Sequence, residues 1–166
     1  MIGRIVEKSV DALAWLALIF IGAAALVTGV DVVMRHTLGG GVRGMVDLTQ
    51  LAVMYSVFLS IAYGFARRAH VAVTVLTEMF SERVNTALAL LWWLVAVVVM
   101  AVLAYAAFGQ ARLIAGYGDV SQNIRIPMIW YWLPVVVGLA LSALASLWAA
   151  IVTLKQGAGS GSGESA

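Results

Sequence analysis

The sequence predicts an all-α integral membrane protein with four transmembrane helices and an amphipathic helix in the membrane interface between spans two and three. Three observations predict it. Hydrophobic residues make up 63% of the 166 residues and charged residues 11%, with a mean hydropathy of +1.01, which is outside the balance of a soluble domain. The apolar residues gather into four long runs, each near or above the roughly 20 helical residues that cross a hydrocarbon core of about 30 Å. The middle of every run is free of Asp, Glu, Lys, Arg and His. A charge there costs about 2.5–3.5 kcal/mol on insertion scales, so carriers keep one only where function requires it.

The first span covers about residues 12–34, and its uncharged stretch, Ala12 to Val30, is longer than the h-region of a cleaved signal peptide. It therefore reads as a retained anchor. The second span covers 48–66 and ends on Arg67 and Arg68. Over 70–86, Val73, Leu76, Met79, Phe80 and Val84 recur at helical spacing while Glu78, Glu82 and Arg83 fall largely elsewhere. That pattern predicts the interfacial helix, the alternative being a linker that dips into the headgroups. The third span covers 87–108. The fourth, 126–154, is longer than one crossing needs; it can tilt, or begin in the headgroups with Trp130, Tyr131 and Trp132 as an aromatic belt. Pro127 suits its first turn and Pro134 predicts a modest kink. Residues 157–166 are almost wholly Gly, Ser and Ala, which predicts a flexible coil or a cloning scar after a single membrane domain over 1–156. Spans two and four share no ordered motif, so an inverted-repeat transporter is not supported.

Four spans place both termini on one side. Arg4, Lys8, Arg67, Arg68, Arg83 and Lys155 on that side outnumber Arg35, Arg43, Arg112 and Arg125 on the other, which predicts cytoplasmic termini. Small residues recur every four positions on two spans: Ala52, Ser56, Ser60 and Gly64 on the second, and Gly138, Ser142, Ser146 and Ala150 on the fourth. Small residues let helices approach closely in lipid, so these are candidate packing faces, with chance in an Ala- and Ser-rich sequence as the alternative.

Catalytic chemistry is not evident. With no Cys, disulfides, thiol redox chemistry and Cys-ligated metals are excluded. His36 and His70, the only histidines, fall on opposite surfaces and cannot share a metal within one subunit; a haem held between facing histidines is excluded likewise. No intramembrane Ser has a base in its own span. No catalytic, cofactor or metal site is expected, and the small net charge of +2 argues against nucleic acid. Asp31, Arg35, His36, Arg43 and Asp47 cluster between spans one and two. They can contact headgroups and cap helices, or meet a partner, and the two roles are compatible.

Three ordered pieces carry a family resemblance: Val33-Met34-Arg35-His36; Tyr63-Gly64-Phe65-Ala66-Arg67-Arg68-Ala69-His70-Val71-Ala72-Val73; and Ile124-Arg125-Ile126-Pro127 leading through Trp130-Tyr131 to Leu133-Pro134-Val135-Val136-Val137-Gly138. From about Asp31 to Leu144 the chain resembles the small membrane subunit of tripartite ATP-independent periplasmic (TRAP) transporters. One departure is Met45-Val46-Asp47-Leu48, which holds a single acid where the family often shows an aromatic residue followed by an acidic pair.

The resemblance implies a system in which a periplasmic binding protein captures an organic acid or similar small solute. A large membrane subunit carries it inward on a sodium gradient, and the small subunit is a scaffold that pairs with the large one in the lipid bilayer and helps dock the binding protein. Arg35, His36, Asp47, Asn123 and Arg125 then become candidate outer-face contacts, and Arg67, Arg68 and His70 candidate cytoplasmic boundary anchors. The rival expectations are a self-sufficient homo-oligomeric carrier and an accessory subunit of another membrane complex.

Overall fold

A computed structural model of the chain describes residues 2–67 and 82–160. They form four helices: α1 (Ile2–Leu38), α2 (Met45–Ala66), α3 (Glu82–Tyr117) and α4 (Ile129–Ser160). Each contains a stretch long and apolar enough to cross a membrane. α1, α3 and α4 have 37, 36 and 32 residues, so each is longer than the hydrocarbon core at about 1.5 Å per residue. Once a helix is nucleated, every added residue gains a backbone hydrogen bond, and the helices run past the edges of their apolar runs. Most of the interfacial helix expected over 70–86 lies outside the described residues; from Glu82 the chain already belongs to α3. At the other end, α4 continues through 157–160, where coil was expected, and 161–166 lie outside the described residues.

The start of α4 also departs from expectation. Ser121 N donates to Ile126 O at 2.8 Å and Met128 N to Asp119 O at 2.8 Å, across an isolated antiparallel bridge between Val120 and Pro127. Backbone groups before Ile129 are thus spent on the α3–α4 connection. Pro127 precedes the helix, and its carbonyl accepts from Trp130 N at 3.1 Å. Pro134 lies inside α4 and is fully buried.

The helices pack as a row. α1 lies against α2, α2 against α4, and α4 against α3. α2 and α4 are therefore central and run parallel, both starting at the end where the two connections, 39–44 and 118–128, come together. Burial follows this order: 39% of the most apolar window of α4 is buried and none of that of α3, whose Trp92, Val98, Val102 and Phe108 point outward.

Small residues make the contacts close. α1 buries Ala17, Ala24 and Asp31 at seven-residue spacing, and its Phe20 stacks on Tyr55 of α2 with ring centroids 4.7 Å apart. Gly138 is where α4 meets α2 most tightly, since a Cβ there would stand 2.6 Å from the Phe58 carbonyl oxygen. Ala107 of α3 joins Val135 and Leu139 of α4 in a core flanked by Met54, Phe58, Met100 and Trp132.

Candidate functional site

Among the described residues, the connection end carries a cluster of side-chain hydrogen bonds between elements. α2 begins after Gly44, whose φ of 75° lies in the left-handed region and which makes no side-chain cap bond. Asp47 sits in the first turn of α2, where its charge favours the helix dipole, yet its carboxylate turns toward the α3–α4 connection. Oδ2 accepts from Ser121 Oγ at 2.6 Å, Ile124 N at 2.9 Å and Asn123 N at 3.1 Å, while Oδ1 accepts from Asn123 Nδ2 at 3.2 Å. The Asp47 carbonyl accepts from the Tyr131 hydroxyl at 3.0 Å. Ser121 Oγ also accepts from Ile126 N at 2.9 Å. Asp47 thus ties the start of α2 to the connection through its buried carboxylate and to the first turn of α4 through its backbone carbonyl. Asp47 is 4% exposed, and each of its side-chain oxygens has a partner, as a buried ion requires.

A second carboxylate orders the α1–α2 connection. Asp31, also buried, accepts from Arg35 Nε at 2.6 Å through Oδ2 and from Val42 N at 2.7 Å through Oδ1. Gly41 closes over this pair, and a Cβ there would come 2.6 Å from Asp31 Oδ1. Gly44 meets the Ile124 side chain in the same way. The two connections therefore support each other through Gly44, Asp47 and Ile124.

The expected outer-face residues divide by exposure. Arg35, His36, Asn123 and Arg125 are exposed, Arg35 with 64% of its side chain open although Nε is tied to Asp31. Asp47 is turned inward and is not displayed. Tyr131, expected in an aromatic belt, is likewise buried, while Trp130 is half exposed. Arg125 has φ 59°, the one non-glycine left-handed residue among those described.

At the opposite end, Arg67 pairs with Asp11 of α1 and lies over the Tyr63 ring at 5.9 Å. Its hydrogen bond and charge attraction to Asp11 raise the guanidinium pKa above its already high value. Arg68 and His70 lie outside the described residues.

Of the small-residue faces, Gly138, Ser142, Ser146 and Ala150 are all buried. Ser142 and Ser146 donate back to the Gly138 and Ser142 carbonyls of their own helix at 2.7 and 2.8 Å. On α2, Ala52 and Ser56 are buried, Ser60 is exposed, and the space beyond Gly64 is open. The buried face shifts to Leu59, Ala62 and Phe65. Sequence reasoning missed Ser121, Ile124, Tyr131 and the pairing of Asp31 with Val42. The available signal was local: a lone acid leading an apolar run must find donors somewhere, and Ser121-Gln122-Asn123 is a donor-rich loop.

These features define a multi-pass helical membrane protein with a hydrogen-bonded polar cluster, among the described residues, where the helix connections meet, and with spans uncharged at their centres. The family of tripartite ATP-independent periplasmic transporters, DctQ component, matches residues 24–156, and the chain belongs to it. The protein is the small membrane subunit of a TRAP transporter, a transport component and not a member of an enzyme family. Comparison with curated proteins finds no match.

Proposed function

We propose that this subunit is a scaffold. It pairs with the large membrane subunit, displays the connection end to the periplasm with both termini in the cytoplasm, and helps dock the binding protein there. The sodium coupling and the organic-acid or similar solute follow from the family resemblance and belong to the other chains. The observation that carries the reading is the partition of polarity: spans with no charge at their centres and a hydrogen-bonded polar end built on Asp31 and Asp47. A scaffold needs apolar flanks and a shaped end, whereas an ion path through these helices would normally keep ionisable groups at the span centres. Arg35, His36, Asn123 and Arg125 serve as docking contacts, and Arg67, Arg68 and His70 mark the cytoplasmic boundary.

The test is coexpression with the large subunit, copurification in mild detergent, and uptake into proteoliposomes. The solute supplied is the one that most stabilises the binding protein in a thermal-shift screen. A one-to-one pair whose sodium-driven uptake needs both chains is expected. Uptake by this chain alone would establish a self-sufficient carrier instead, and failure to pair would point to an accessory role in another complex.

A further inference from the structure

Arg125 is exposed, and its backbone is held in the left-handed region. For a non-glycine L-residue that conformation is unfavourable and persists only where its surroundings dictate it. Here they do so from both sides. Asn123 N and Ile124 N, just before Arg125, donate to Asp47 Oδ2; Ile126 N, just after it, donates to Ser121 Oγ, which itself donates to the same Asp47 oxygen. Ser121 N closes the ring onto Ile126 O. Three of these bonds end on Asp47 of α2, and the other two run between Ser121 and Ile126.

We infer that Asp47 is a positioning residue: it locks the α3–α4 connection so that Arg125 is presented, in a fixed direction, to an acidic group on the docking face of the binding protein. This rests on the docking reading above. A lipid phosphate is the other anion within reach of a membrane-surface arginine. A flexible side chain on relaxed backbone reaches a headgroup equally well, so neither the left-handed conformation nor the lock is needed for lipid contact. Against a folded partner a fixed direction matters, because preorganisation removes the ordering cost of association and a guanidinium pairs with a carboxylate in a directional, bidentate way.

The experiment uses the complex with the large subunit in nanodiscs and measures affinity for the binding protein of the same transporter. Arg125→Ala and Asp47→Ala should each weaken it about tenfold, the scale of one lost interfacial charge contact. The double variant should be no weaker than Arg125→Ala alone, because the two residues act through one contact. Copurification with the large subunit should be unchanged.

Should Asp47→Ala fail to fold, Ser121→Ala takes its place. It removes a donor to Asp47 Oδ2 and the acceptor of Ile126 N without touching a docking contact, should weaken docking, and should add nothing to the loss in Arg125→Ala. Losses that add in either double variant would overturn the positioning role while leaving Arg125 as a contact. Unchanged affinity in Arg125→Ala would overturn the proposal, and weaker adsorption of that variant to vesicles rich in phosphatidylglycerol would then assign the arginine to lipid. Neither result bears on pairing with the large subunit, which copurification reads separately.

Discussion

Gly39 and Gly44 flank the α1–α2 connection with nearly the same backbone, φ 67° and 75°, but different surroundings. A Cβ on Gly39 would meet nothing within 4 Å, whereas one on Gly44 would overlap Ile124 of the other connection. Alanine at either position carries the left-handed penalty of about 1–2 kcal/mol. Only Gly44→Ala must also displace Ile124, whose backbone N–H is bonded to Asp47. Gly44→Ala is therefore expected to lower the thermal midpoint in detergent by several degrees more than Gly39→Ala, and equal losses would mean that the two connections do not support each other. At this scale the sequence was legible in position and not in role. Asp47 was visible as an acid beside the start of a helix, and capping was the local reading. Its partners lie 74 to 77 residues away, and no periodicity within one span points across that distance.

The spans were legible because a bilayer imposes a length on any apolar run that crosses it. Their ends were less so. The apolar run ends at Phe108, before Gly109, Gln110 and Arg112, but the helix does not: α3 continues through Ala111, which is buried, to Tyr117, while the paired backbone of the α3–α4 connection delays α4 to Ile129. The α4 packing face separates two roles that small residues can play. Ser142 and Ser146 are fully buried, yet their hydroxyls return to carbonyls of their own helix, which already receive a backbone donor in the helical pattern. Ser142→Ala therefore strands no polar group and should change stability by less than about 0.5 kcal/mol. Gly138→Ala, which adds one carbon against the Phe58 backbone, should cost about 1–3 kcal/mol by overpacking. Thermal unfolding of the two variants side by side decides the matter. A large loss from Ser142→Ala would mean that its hydroxyl bonds across to another helix.

For the molecule as a whole, the row α1–α2–α4–α3 was not legible, because in lipid the apolar face of a helix does not select its partner and packing detail does. Orientation across the bilayer is the larger question, since it decides whether Arg125 meets the periplasm at all. Basic residues near the spans set it, with acidic residues contributing little. The pairing of Arg67 with Asp11 and of Arg35 with Asp31 therefore does not cancel their votes. Arg4, Lys8, Arg67, Arg68, Arg83 and Lys155 then outweigh Arg35, Arg43, Arg112 and Arg125, which predicts both termini inside. The chain has no cysteine, so a single introduced thiol reports its own side without background. Gly40, exposed with open space around it, and Lys155, exposed toward the end of α4, are suitable positions. On intact spheroplasts, a membrane-impermeant maleimide should label the Gly40→Cys variant and reach Lys155→Cys only after permeabilisation. The reverse pattern would place the Asp47–Arg125 arrangement in the cytoplasm, beyond reach of a periplasmic binding protein, and docking at this end would be ruled out by topology whatever the affinity of the isolated parts.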